Sequence, residues 1–266
     1  MKLTKKGRRV LIIVAAVVVI AAASVTLLTT GILSSIFGPK HITVRVGYSS
    51  YAYPPLHFRN SDGVLVGLDI DLARAAGELM NATMEFVPID WSNREELLVS
   101  GEIDVLWGGL ERASLDTQKV AFTRSYLQSN IILLMEADRD YAQFDDLNGL
   151  SVCALNFTPA FYYMQVLNRD IIKSRRSFSP PEYVELLGTL SSQEYDCMIT
   201  DVSFASFFIQ ATGGEYRSSE PLMGSSYAVG VSVENKALFD KLQSALDHLV
   251  SSGEVNRLRD RWIVNP

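Results

Sequence analysis

The sequence predicts an α/β protein built as two lobes joined by a hinge. Three observations predict it. Two stretches, from about residue 42 to 107 and from about 151 to 211, alternate short apolar strand-like runs with amphipathic helical ones. Such alternation pairs strands in parallel and covers the sheet with helices. Between the stretches, Asn130 to Met135 is a lone apolar strand, and Tyr227 to Val233 is a second on the way back. Two extended crossings of this kind make a hinge. Third, a basic and then apolar head stands apart in composition and precedes both stretches.

The head comes first. Lys2, Lys5, Lys6, Arg8 and Arg9 are followed by an uncharged apolar run from Val10 to Pro39. That run exceeds the ~20 residues a helix needs to cross a bilayer. Residues 1–39 are therefore expected to be a membrane anchor, with a cleaved signal peptide as the alternative, Ala21-Ala22-Ala23 supplying its small residues. Either way the basic head stays inside and the rest crosses. No Cys precedes Cys153, which excludes a lipid-modified N-terminal Cys.

His41 to Tyr48 is expected as a strand, with Val44 and Val46 on one face. Tyr51 to Pro55 reads as a turn, and Asn60-Ser61-Asp62-Gly63 as a hairpin-type turn. Asp69 is placed as the cap of a helix with Leu72, Ala76 and Leu79 on its inner stripe. Thr83 to Pro88 returns as a strand. Ser92 or Asn93 starts a helix that turns Leu97 and Leu98 inward and ends at Gly101. Ile103 to Trp107 is a third strand.

The second stretch repeats the grammar. Ser151 to Leu155 is a strand, and Thr158-Pro159 opens a helix with Thr as cap and Pro in the first turn. Tyr183 to Leu190 is helical, Cys197 to Thr200 a strand, and Ser203 to Ala211 a helix. After the return crossing, a helix from Lys236 carries Leu238, Leu242, Ala245 and Leu249 at helical spacing. Gly253 ends it and a short helix runs to Trp262. The boundaries expected are residues 40–131 plus 228–266 for lobe 1 and 132–227 for lobe 2.

Composition narrows the function. The whole chain carries a net charge of −6, and removing the five basic residues of the head leaves −11. An acidic exterior argues against nucleic acid as partner. Cys153 and Cys197 lie in apolar strand-like runs and read as two buried thiols rather than a disulfide. His41, His57 and His248 are scattered without metal-ligand spacing, and no phosphate-binding loop or nucleophile elbow occurs. No metal, no cofactor and no enzymatic activity are expected.

Several motifs in order complete the reading. They are Tyr53-Pro54-Pro55-Leu56-His57-Phe58, Val66-Gly67-Leu68-Asp69-Ile70-Asp71-Leu72-Ala73, Ile89-Asp90-Trp91 and Ser100-Gly101-Glu102-Ile103-Asp104. Asp146-Leu147-Asn148-Gly149, Tyr195 to Asp201, Ser252-Gly253-Glu254 and Arg261-Trp262 follow. From about Thr43 to Val264 the chain resembles the amino-acid-binding family of solute-binding proteins of ABC transporters. The resemblance implies a periplasmic-binding-protein-like, two-lobed "Venus flytrap". It implies a monomer outside the cytoplasmic membrane that closes on a small molecule and hands it to an ABC permease.

It also implies site positions. Tyr53 and Trp91 fall on aromatic walls of the cleft, against a plain packing role. Gly109 falls on a backbone contact, Thr158 on a helix end that can take a carboxylate, and Asp201 on the acid that takes an ammonium. Asp201 can equally cap the helix that follows it. The family's carboxylate-gripping Arg is missing: Asp116 stands in its place, with Glu111 at a usual hydroxyl position and Leu155 at a polar one. Arg112 is the nearby cation that can replace it. Two ligands remain open, an amino acid, or a cationic amine drawn by Glu111 and Asp201, the latter slightly favoured. Alternatives are a cyclohexadienyl-dehydratase-like enzyme using Glu111, and a degenerate ligand sensor.

Overall fold

The computed structural model describes residues 41–166, 172–179, 192 and 194–263. The expected anchor or signal at 1–39 and the expected helix Tyr183 to Leu190 lie outside them. Among the described residues, no helix is long and apolar enough to cross a membrane.

The chain starts with strand β1 (Ile42–Ser49), whose Val44 and Val46 are buried as their alternation predicts. A short hairpin follows, β2 (Phe58–Arg59) and β3 (Leu65–Val66), paired antiparallel across the Asn60–Gly63 turn. Helix α1 (Leu68–Met80) buries Leu72 and Ala76 but leaves Leu79 at 49 % exposure, so the inner stripe is narrower than expected. Gly67, not Asp69, stands at its N-cap, and Asp69 lies inside the first turn with its carboxyl turned into the core. Strand β4 (Ala82–Ile89) leads to a 3-10 turn over Trp91–Asn93 and helix α2 (Arg94–Ser100). Asp90 accepts from the Ser92 amide at that turn, a role expected of Ser92 or Asn93 themselves. Gly101 ends α2 in the left-handed region. The third strand is only β5 (Val105–Leu106).

Strands β6 (Val120–Phe122) and β7 (Leu127–Gln128) follow, and the run expected as the first crossing, Asn130 to Met135, is instead strand β8 (Ile131–Glu136) of the second sheet, so that β7 makes the crossing. The next run is β9 (Ser151–Leu155), helix α3 (Pro159–Val166), β10 (Ser174–Phe178), β11 (Cys197–Asp201), helix α4 (Val202–Ala211) and β12 (Tyr216–Ser218). The return expected as one strand is two, β13 (Ser226–Tyr227) and β14 (Gly230–Ser232). Helices α5 (Lys236–Ser251) and α6 (Glu254–Trp262) close the chain, with Leu238, Leu242, Ala245 and Leu249 all buried.

The strands sort into two five-stranded sheets. One has the order β4-β1-β5-β14-β6 and the other β10-β9-β11-β8-β12. The β-α-β grammar shows in the parallel pairs β1–β5, β9–β10 and β9–β11. Returning strands β14 and β8 add antiparallel pairs. Strands β7 and β13 pair with each other in a separate two-stranded ribbon, so both crossings run side by side. The first sheet packs a core of Ile89, Trp91, Leu98, Ile103, Leu106 and Phe122. The second packs Ile131, Leu133, Val152, Ala154, Ile199 and Cys197. Register sets Cys197 opposite Val152 and Cys153 opposite Met198. Alternation therefore turns the two thiols to opposite faces of the sheet, and both are free and buried.

Candidate functional site

The site lies where loops after β1, β4 and β5 of the first sheet meet the loop after β9 of the second. A cavity there is lined by Tyr53, His57, Trp91 and Gly109 from one side and by Leu155, Phe157 and Thr158 from the other. Its free space is about 30 Å³, room for about two water molecules rather than an amino acid. No charged side chain lines it among the described residues. Strand-end loops of open α/β sheets gather around such clefts because side chains there leave the core.

Gly109 shows why the sequence is local in this way. Its φ of +64° suits glycine, and a Cβ there would stand 2.6 Å from Cε1 of Tyr53. Asp69 accepts from the Gly109 amide at 2.8 Å and from the Tyr126 hydroxyl at 2.7 Å, so it holds the cavity wall in place. Burial pushes the Asp69 carboxyl up to about 7 against the pull of those two donors.

Asp201, at 1 % exposure, is the most engaged group at the site. Its Oδ2 accepts from the Tyr53 hydroxyl at 2.5 Å. Its Oδ1 accepts from the Ser129 hydroxyl at 2.6 Å and from the amides of Ser203 and Phe204 at 2.9 and 3.2 Å, which makes it the N-cap of α4. Tyr53 and Ser129 each spend their one proton on Asp201. The Tyr227 hydroxyl, 2.8 Å from that of Tyr53, and the Ser203 hydroxyl, 2.7 Å from that of Ser129, must then be the donors in those pairs. Burial, with Asp201 and then Tyr227 beside it, holds the Tyr53 phenol well above its usual range. The Tyr53 ring also stacks on Phe204 of α4 at 6.4 Å.

Other contacts bridge the two sides. Arg94 donates to the Trp91 carbonyl at 2.7 Å, and to the Ser114 carbonyl and the Tyr162 hydroxyl of α3 at 3.1 Å each. Its guanidinium also faces the Trp91 ring at 5.5 Å. Phe157, in the left-handed region at φ +62°, packs from the second side against the core that contains Trp91. A non-glycine residue in that region costs about 1 kcal/mol or more, and such costs cluster where geometry matters. Thr158 caps α3, its hydroxyl accepting from the Phe161 amide at 3.2 Å.

The structure thus brings together Tyr53, Trp91, Gly109 and Thr158 around one cavity, with Asp201 under Tyr53. It separates Glu111 and Arg112 from them. Glu111 accepts from Ser225 at 3.1 Å and, with Arg112, borders an open groove of about 670 Å³ beside the hinge ribbon. Burial raises the Glu111 carboxyl, and the Ser225 hydroxyl opposes that. Arg112 is exposed and its guanidinium covers Phe122 at 5.8 Å. Neither Glu111 nor Arg112 lines the cavity of Tyr53 and Trp91. His57, Phe157 and Arg94 escaped the sequence reading. Arg94 left one signal, a cation in the first turn of a helix where the dipole favours acids. Among the described residues, no cluster of His, Cys, Asp and Glu could hold a metal ion.

Comparison with known proteins follows the same outline. The model of a family described as bacterial extracellular solute-binding proteins, family 3, matches residues 44–265. A glutamate-binding protein of Corynebacterium efficiens is 26 % identical over 243 residues, covering 85 % of this chain and 80 % of its own. ABC transporter arginine-binding protein 1 of Escherichia coli is 23 % identical, covering 80 % and 88 %. Among solved structures, an ABC uptake transporter substrate-binding protein from Streptococcus pneumoniae with bound histidine superposes with a TM-score of 0.74. It is 25 % identical and covers 84 % of this chain and 93 % of that one. An ancestral arginine-binding protein bound to arginine gives 0.71 at 25 % identity, covering 83 % and 97 %.

Proposed function

The chain belongs to family 3 of the bacterial extracellular solute-binding proteins, and on that premise we propose that it captures an amino acid or related small amine in the cavity between its two sheets and delivers it to an ABC permease. The observation that carries this is the cavity itself. Loops of both sheets converge on it, and Tyr53, Trp91, Gly109 and Thr158, the positions to which the family resemblance points, line it. Relatives named for glutamate, arginine and histidine support the amino-acid class.

Binding requires the cleft to widen, since about 30 Å³ is an order of magnitude below a typical ligand pocket. The paired crossings β7 and β13 are the hinge. An incoming ammonium takes the place of the Tyr53 hydroxyl on Oδ2 of Asp201, and a carboxylate meets the N-terminal end of α3 at Thr158. Closure then follows from contacts that exist only in the closed arrangement. Lobe 1 comprises 40–131 and 228–266 and lobe 2 comprises 132–227. Residues 1–39 anchor the monomer outside the membrane, or are removed as a signal peptide.

A thermal-denaturation screen of the full chain against the amino acids, polyamines and guanidino compounds tests the proposal. At a hundredfold excess over Kd, a true ligand is expected to add about 2.7 kcal/mol to stability. A panel without any stabilising compound overturns it. The dehydratase alternative has less support, because Glu111, its acid or base, borders the groove and not the cavity.

A further inference from the structure

We propose that Arg94 is the clasp of the closed cleft, a positioning residue that steadies the Trp91 wall and, through Tyr162, holds the two sides together, so that it sets how long a captured solute stays. This rests on the solute-binding reading above and gives that reading a residue that governs release.

Arg94 stands where nothing local favours it. It opens α2, with Glu95 and Glu96 behind it in the first turn, at the helix end whose dipole repels a cation. It is also 5 % exposed, the one Lys or Arg that is buried among the described residues. A guanidinium taken out of water needs partners. Here they are neutral, the carbonyls of Trp91 and Ser114 and the hydroxyl of Tyr162. The Nε has none, so the set is incomplete and none of the three bonds is spare.

The three partners belong to three segments. Trp91 follows β4 and lines the cavity, and the guanidinium faces its ring at 5.5 Å. Ser114 ends the 3-10 turn Arg112–Ser114 in the loop after β5. Tyr162 lies on α3, one turn beyond Thr158, whose carbonyl accepts from the Tyr162 amide at 3.3 Å. The first two come from the side of the first sheet and stay with Arg94 whatever the cleft does. The third comes from the side of the second sheet, and a 3.1 Å bond to it exists only while the cleft is closed. A planar fork with fixed donor directions suits such a three-way hold, and the point charge of a lysine does not.

The two roles have different kinetic signatures. A bond made only by the closed arrangement stabilises that arrangement, empty or loaded. Its loss lets the cleft open more readily, which speeds release and does not slow capture. The hold on Trp91 exists in both arrangements and shapes the wall that a solute meets, so its loss slows capture as well.

Stopped-flow tryptophan fluorescence of the full chain with L-glutamate, L-arginine and L-histidine tests this. For whichever binds, Tyr162→Phe is expected to raise koff about tenfold and to leave kon equal or higher. Arg94→Met is expected to raise koff at least as much and to hold kon below that of Tyr162→Phe. In the double variant, Tyr162→Phe should add nothing to the koff of Arg94→Met, since the bond it removes is already gone. An unchanged koff or slower capture in Tyr162→Phe, equal kon in the two single variants, or additive effects on koff overturn the assignment and leave solute binding intact. If circular dichroism shows Arg94→Met unfolded, Tyr162→Phe decides. If none of the three solutes binds, the wider denaturation screen decides whether solute binding falls, and solution scattering decides the clasp. Tyr162→Phe in a Tyr53→Phe background is then expected to expand the unliganded chain further, and an unchanged profile overturns the clasp.

Discussion

Asp69 and Asp201 are both buried to 1 % exposure, and each accepts from a tyrosine hydroxyl and from backbone amide, yet they do opposite work. Asp69 has two donors, Tyr126 and the Gly109 amide, both beside the first sheet. It fixes a wall. Asp201 has four, and one of them, Tyr53, reaches it from the other side of the cleft. It joins two walls that, on the function proposed above, part for a solute to enter. A carboxylate that serves the frame can stay with a few short-range partners. One that serves the cleft needs enough fixed partners to remain stable when its mobile one leaves. Ser129, Ser203 and Phe204 are that fixed set.

The sharpest way to break the comparison is to remove Asp201. Asp201→Ala strands two hydroxyls and two amides and uncaps α4, and is expected to cost about 3–5 kcal/mol in urea unfolding. Tyr53→Phe removes the cross-cleft bond alone and is expected to cost about 1.5–3 kcal/mol. It should also expand the protein in solution scattering, because the mobile partner is gone and the fixed ones remain. An unchanged scattering profile would place Tyr53 with the frame.

Titration sharpens the contrast on the Asp69 side. Its folded pKa of about 7 lies above the ordinary 3.8, so the folded state keeps a proton that the unfolded chain releases. The stability it contributes is full below about pH 4 and lost as pH rises toward 7. His57, lowered from 6.5 to about 4, works the other way, its contribution present above pH 6.5 and lost as pH falls to 4. The two slopes oppose each other in the wild type. Asp69→Asn leaves the His57 slope alone, so stability should climb steadily from pH 4 to 6.5 in urea titrations. A falling profile in that variant would contradict the assignment to Asp69.

The smallest effect is expected at Arg112. Its guanidinium touches only the Phe122 face among the described contacts, so Arg112→Ala should shift stability by about 0.5 kcal/mol or less. Ligand stabilisation should not change. A loss of ligand stabilisation would return Arg112 to the cleft.

The strand and helix order was legible because it rests on local patterns. Val44 and Val46 alternate, and Leu242, Ala245 and Leu249 recur at helical spacing, whatever the rest of the chain does. Part of the site was legible too, since Tyr53, Trp91, Gly109 and Thr158 each end a strand or start a helix. The placement of Glu111 and Arg112 was not legible, because the bridge between Glu111 and Tyr227 sets that loop beside the hinge ribbon. Nothing within the loop announces a partner more than a hundred residues away. His57 was illegible for the same reason. Its isolation is made by Tyr48, Tyr53 and Gly108 together, and no window of sequence contains that pocket.

Strand β14 sits between β5 and β6 in the first sheet, one strand in from its edge, although it is the last strand to be made. The second sheet draws all its strands from one continuous stretch, Ile131 to Ser218. A chain emerging from its N-terminus can therefore complete the second sheet while the first still has an open slot between β5 and β6. The first sheet must hold that slot for more than a hundred residues of synthesis and close it over a long loop, which makes its closure the slower event. Until then β5 and β6 present unpaired edges to neighbouring chains, so the hazard of aggregation during folding falls on the first sheet.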